Sequence, residues 1–136
     1  MTETETSRQL VLDYFAAMRA ADHAGLARVL ADDVEWVPPQ SAPLEGRPYL
    51  GRETVVAAMD REGSRFFDLT TGRADAFKIV AEGDTVVVLY RFACTTRAGR
   101  DYSNEYVFVF TCAANGIVRI DEHNDTLRFH RIVMES

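Results

Sequence analysis

Apolar residues recur at helical spacing through the first half of the chain and fall into strand-like runs through the second. Val11, Tyr14, Phe15 and Met18 follow a period near 3.6, so residues 7 to 20 predict an amphipathic helix, with Thr6 and Gln9 as a capping box at its start. Asp22 caps a shorter predicted helix that turns Leu26, Val29 and Leu30 inward. Val34 to Val37 reads as a short strand, ended by Pro38 and Pro39 because proline offers no ladder donor. Residues 38 to 50 carry four prolines and one glycine and predict a loop. A third helix is expected from Arg52 to Glu62, with Val55, Val56 and Met59 inward and Gly63 as its stop.

Beyond Phe66 the pattern is one of strands. Arg73 to Val80, Thr85 to Thr95, Tyr102 to Cys112 and Ile117 to Thr126 are rich in β-branched and aromatic residues. Glu82-Gly83-Asp84, Ala98-Gly99-Arg100 and Asn115-Gly116 between them are hairpin signals. Helices first and antiparallel strands second predict an α+β domain with three helices on one side of a curled sheet. The strand ladder around Gly99 is expected to set Cys94 opposite about residue 105 and Arg91 opposite about residue 108. Leu127, Phe129, Ile132 and Val133 are too apolar for a free tail and should dock on this subunit or on a partner. The middle strands are apolar on both faces, so a homodimer through the outer face of the sheet is expected.

Composition narrows the function classes. A chain of 136 residues suits one domain, 1–136, and 47% apolar with 26% charged residues is ordinary for a globular protein. The net charge of −6, with no Lys/Arg run, disfavours nucleic acid and anionic membrane as partners. No apolar stretch is long enough for a membrane span. The polar, acidic start is the opposite of a signal peptide, and two apolar-flanked cysteines read as reduced thiols, which together suggest the cytoplasm.

Leu12 to Met18, then Asp22, then Leu30-Ala31-Asp32-Asp33-Val34, resemble the opening of the nuclear transport factor 2-like superfamily. Asn104 to Phe110, Asn115-Gly116-Ile117 and Glu122-His123-Asn124-Asp125-Thr126 resemble its SnoaL-like branch. The resemblance spans about residues 8 to 127 and implies a cone-shaped fold, with a strongly curved mixed or antiparallel sheet wrapped around a long first helix and a pocket open at one end. It also implies a choice among ketosteroid isomerases, polyketide cyclases, dehydratases (lyases), epoxide hydrolases and non-catalytic binding proteins, because the fold does not select the function. The opening is similar to that of the ketosteroid isomerases, with Tyr14 at that family's oxyanion tyrosine and Pro38, which cannot accept a proton, at its general base. The Glu-His-Trp-Asp run of the SnoaL-type cyclases appears as Glu122-His123-Asn124-Asp125, which implies Asp125 as the acid–base residue.

The residues themselves support a matching hypothesis. His123 and Asp125 are two apart on one predicted strand and share a face, which Arg119 and Asp121 share too. If that face is concave, an imidazole and a carboxyl group enter an apolar pocket where either could move protons near pH 7. The expected catalytic set is therefore Asp125, His123 and Tyr14, the last holding a developing oxyanion. Trp36, Tyr106, Glu105 and Arg91 are the expected substrate contacts, although for the last two a structural salt bridge is the favoured reading. No metal-ligand spacing and no glycine-rich phosphate loop occurs, so no cofactor is implied. The expected activity is cofactor-free acid–base chemistry on an apolar, carbonyl-bearing small molecule: isomerisation, dehydration or cyclisation. The alternatives are a binding module without chemistry and epoxide opening by water, which would need Arg91 and a second carboxylate beside Asp125.

Overall fold

The computed structural model describes residues 1–40 and 43–135. Ser41 and Ala42, inside the predicted loop 38 to 50, and Ser136 in the predicted docking tail lie outside the described residues. The chain forms α1 (Glu3–Arg19), α2 (His23–Val29), β1 (Leu30–Val37), β2 (Tyr49–Leu50), α3 (Arg52–Phe66), β3 (Phe67–Glu82), β4 (Thr85–Thr96), β5 (Asp101–Ala113), β6 (Gly116–Asn124) and α4 (Thr126–Phe129). A π-helical turn, His130–Met134, follows. Among the described residues six strands make one open sheet in the order β2-β1-β6-β5-β4-β3, antiparallel except where β1 runs parallel to β6. The α+β class and mixed sheet match the expectation.

Among the described residues four α-helices stand where three were expected. The fourth arises because Asp125, read from sequence as the end of a strand, is a helix cap: its carboxylate accepts from the Arg128 backbone N–H at 3.0 Å. Once capped, the short helix lays Phe129 against Phe66, Phe67 and Tyr102, so the apolar tail docks on its own subunit. The first helix begins a turn before Thr6, since Thr2 is the cap and accepts from the Glu5 backbone at 3.1 Å. The hairpin between β4 and β5 is centred nearer residue 98 than expected. Cys94 therefore faces Tyr102 rather than residue 105, and Arg91 faces Glu105 rather than residue 108.

Burial explains how the layers meet. On β5 the even-numbered residues from Tyr102 to Cys112 are buried and the odd ones lie toward the other face. Val11 of α1, Val55 of α3 and Val86, Val88, Phe110, Ile117 and Ile120 of the sheet have no exposed surface. They fill one end of the space between helices and sheet. At the other end the helices and sheet do not close on each other, and a cavity remains.

Candidate functional site

The cavity has a volume of about 540 Å³ and lies between the C-terminal half of α1, α3 and the inner face of β3 to β6. That is the size range of small-molecule sites. Its wall is mostly aromatic. Phe77, Tyr90 and Tyr106, one ring from each of β3, β4 and β5, stack in sequence at centroid distances of 5.2 and 5.5 Å. The lip on the β3 side is built by two irregularities in its pairing with β4, between Asp68 and Arg73 and between Asp75 and Lys78. Such bulges re-aim side chains. Here Leu69 and Phe77 join the cavity wall, and Gly72 lets Phe92 approach, for a Cβ there would stand 3.0 Å from its ring.

One carboxyl group dominates the chemistry of the interior. Glu122 of β6 points into the cavity, and its Oε1 accepts a hydrogen bond from the Trp36 indole N–H at 3.1 Å. Burial pushes its pKa from 4.5 up to about 7, against the opposing pull of the Trp36 donor. A carboxyl group in that range exchanges protons readily at neutral pH. Glu62 also lines the wall, but it is ion-paired with Arg61 at 3.2 Å and Arg65 at 3.4 Å.

Three tyrosines accompany Glu122. Tyr14 is 1% exposed, and its hydroxyl donates to the Met59 thioether at 3.6 Å, a weak acceptor. Burial, aided by the nearby Glu122 charge, holds its phenol far above the ordinary range, so it is a neutral donor at any physiological pH. Tyr90 and Tyr106 are raised for the same first reason. The Tyr106 hydroxyl lies 2.8 Å from that of Tyr102, which in turn accepts from the Asn104 amide at 2.9 Å.

The expected site residues divide cleanly. Tyr14, Trp36 and Tyr106 line the cavity. His123 and Asp125 do not: both are exposed, and the Asp125 carboxylate is engaged as the α4 cap. Arg91 and Glu105 are paired with each other at 3.0 Å on the exposed face of the sheet, the structural alternative. The arginine and acid trio needed for epoxide opening is therefore not assembled around Asp125. Among the described residues no three His, Cys, Asp or Glu side chains gather as they would to hold a metal ion.

The exchange of His123 for Glu122 has one cause. A regular hairpin continued from the Ala113–Gly116 pair would set Phe108 opposite Asp121 and Tyr106 opposite His123, turning Arg119, Asp121 and His123 inward. Instead Cys112 pairs with Ile117 while Thr111 pairs with Arg119, so Val118 is one extra residue on β6. That bulge inverts the faces of everything after it, and Phe108 now faces Glu122. It exists because Ile117 and Ile120 are both fully buried, which an unbroken period of two forbids. The signal was present in the sequence: Ile120 sits between Arg119 and Asp121, so the even-numbered residues were already the apolar, inward set there.

Comparison with known proteins agrees with this geometry. The SnoaL-like domain family matches residues 11–123. An NTF2-like protein from Burkholderia xenovorans LB400 is 27% identical, over 96% of this chain and 97% of its own, with a TM-score of 0.79. TerC, crystallised with polyporic acid, is 22% identical over 94% and 98% of the two chains, with a TM-score of 0.81. A candidate polyketide cyclase from Xanthomonas campestris pv. campestris is 16% identical over 94% and 96%, with a TM-score of 0.77. No curated protein sequence matches significantly. With the family match covering most of its length and the cavity-forming architecture in place, the chain belongs to the SnoaL-like family of the NTF2-like superfamily.

Proposed function

We propose that this protein is a cofactor-free acid–base enzyme acting on an apolar, carbonyl-bearing small molecule, with Glu122 as the proton-transfer group. The observation that carries the reading is a single carboxyl group, half-neutral near pH 7, facing an aromatic cavity of about 540 Å³. In its ionised form Glu122 takes a proton from the carbon beside a substrate carbonyl, and the resulting enolate oxygen is met by a neutral hydroxyl donor. Tyr14 supplies that donor, being held only by a thioether in the free protein. Glu122, now protonated, returns the proton at a second position, which gives isomerisation; loss of a β-hydroxyl or attack of the enolate on a second carbonyl gives dehydration or cyclisation. Relatives of the same fold with a cyclase designation or a bound polyporic acid are consistent with this class of ligand but share only the fold.

The outer face supports a further part of the proposal, a homodimer. Val80 and Leu89 are 54% and 41% exposed there, among Val87, Val107 and Val109 of the neighbouring positions. Reduced thiols at the buried, unpaired Cys94 and Cys112 suit a reducing compartment such as the cytoplasm. No helix among the described residues is long and apolar enough to cross a membrane.

Deuterium wash-in at the α-carbon of 1-tetralone, followed by NMR in D2O at pH 7, tests the chemistry. The protein should accelerate exchange, and Glu122→Gln should slow it about 100-fold or more. Binding without exchange would make the protein a carrier of such molecules, and exchange undiminished in Glu122→Gln would remove Glu122 from the mechanism.

A further inference from the structure

Two arginines line the cavity, Arg19 at the end of α1 and Arg73 on β3. Among the described residues neither makes an ion pair. Arginines elsewhere on the surface are engaged: Arg91 holds Glu105 at 3.0 Å, Arg119 holds Asp121 at 3.0 Å, and Arg52 holds Asp32 at 2.8 Å. Arg19 is not needed to close its helix either, because the last carbonyls of α1 accept from the backbone N–H groups of Ala20, Ala21 and Asp22. Its guanidinium lies over the Phe77 ring, 5.9 Å from the centroid, a contact that leaves its N–H donors to water or to a ligand. In a chain of net charge −6, two uncompensated cations on one cavity are out of keeping with the rest of the surface.

Both cations belong to the β3 lip. The first irregularity of β3 ends at Arg73, and the second carries Phe77, with Arg19 over it, into the aromatic wall. The acids of that side are already taken: Glu62 by Arg61 and Arg65, and Asp68 by the hydroxyl and backbone N–H of Thr70, while Asp75 stands opposite Arg91. Glu122 lies on β6, three strands from β3, which is about 14 Å along the sheet at about 4.8 Å per strand. Physiological salt screens its charge over that separation, so it scarcely opposes an anion at the lip. A ligand lying along the stacked rings of Tyr106, Tyr90 and Phe77 meets Glu122 at one end and emerges beside the arginines at the other. Arg19 and Arg73 are exposed, so a charged end keeps part of its hydration there, as it would not among the rings.

We propose that Arg19 and Arg73 form an anion subsite, and that the natural substrate is an apolar ketone with a carboxylate at the end remote from its reacting carbon. This rests on the cavity being the substrate site, as argued above, and assigns both arginines to positioning and specificity rather than to proton transfer. A guanidinium meets a carboxylate through two parallel hydrogen bonds, which fix the orientation of the bound molecule as well as matching its charge. Binding is thereby one-way: the neutral carbonyl end goes in first, and the anion stops at the lip.

The test needs no turnover. Calorimetry gives dissociation constants for 1-tetralone-6-carboxylate and the longer 6-(carboxymethoxy)-1-tetralone, each against its neutral methyl ester. The proteins are the wild type, Arg19→Gln, Arg73→Gln and the double variant. At least one acid should bind the wild type about fivefold or more tightly than its ester, and raising sodium chloride from about 50 mM to about 500 mM should erode that preference. The preference should fall in each single variant and vanish in the double one, while the esters bind all four proteins alike. A preference untouched by one single variant removes that arginine from the subsite. Equal binding of acids and esters to the wild type, or a preference that survives in the double variant, overturns the anion subsite and leaves the Glu122 mechanism standing. Failure of every acid and ester to bind overturns both.

Discussion

Replacing Glu122 by Gln should make the protein more stable at pH 8 and leave it unchanged near pH 4.5. The amide keeps the shape of the neutral acid and an acceptor for the Trp36 N–H, but it cannot ionise. In the folded wild type the carboxyl pKa lies at about 7 against an ordinary 4.5, so between those values the folded state holds a proton that the unfolded state has released. Stability therefore falls as pH rises through this window, is unaffected by this group below it, and reaches a constant penalty above it. The rise from 4.5 to about 7, at about 1.4 kcal/mol per pH unit, sets a ceiling of about 3 kcal/mol. Glu122 keeps part of its surface open to the cavity, where water screens the charge, so about 2 kcal/mol is the expected difference. Urea denaturation of both proteins from pH 4 to pH 9 measures it directly. Every other titrating group is common to both chains, so the difference curve isolates this one. Two parallel stability curves would refute the burial argument and, with it, the reason for choosing Glu122.

Four other outcomes follow from the same geometry. Asp125→Ala should cost about 1 kcal/mol in thermal or urea unfolding through loss of the α4 cap, and it should leave the α-proton exchange rate within a few-fold of wild type; a collapse in that rate would return Asp125 to the site. Trp36→Phe removes the donor that opposes the upward shift of Glu122, so the midpoint of the carboxyl titration, read by carbon NMR, should rise by about one unit. Gly116→Ala should destabilise by about 3 kcal/mol, because a Cβ at φ +124 would stand 2.8 Å from the Val29 carbonyl oxygen; a variant with wild-type stability would show that the β6 start can move. Leu89→Lys on the outer face should shift the light-scattering mass toward the monomer without altering ligand affinity, and a mass unaffected by it would remove that face as the interface.

The fold was readable because its signals are local. The Asn115-Gly116 and Ala98-Gly99-Arg100 turns, the helical spacing from Val11 to Met18 and the Asp22 cap each act within a few residues, and each is present, the second turn with its centre displaced toward residue 98. The candidate site was half readable for a different reason. Tyr14, Trp36 and Tyr106 reach the cavity because large apolar rings go inside whatever the details. The polar members depend on strand parity, and parity depends on a bulge of one residue whose cause is the shared burial of Ile117 and Ile120. The interruption showed in the sequence only as Ile117 and Ile120 standing three apart, and a period of two carried past it puts His123 and Asp125 in the places of Glu122 and Asn124. The last helix was missed because aspartate at a strand end and aspartate at a helix start look identical until Phe129 is seen to pack against Phe66 and Tyr102.

The surplus residue at Val118 carries an evolutionary consequence. The final strand encodes two interleaved chemical sets, an acid with an amide on one side and an imidazole with paired charges on the other. Loss of Val118 itself would merely regularise the strand with Glu122 and Asn124 still inward, whereas loss of the single codon for Asp121, with the bulge kept, would set His123 opposite Phe108 and send Glu122 outward while Ile117 and Ile120 stay in the core. A deletion of three nucleotides just beyond Ile120 is thus a shorter route to new chemistry in this scaffold than any series of point substitutions at the cavity wall.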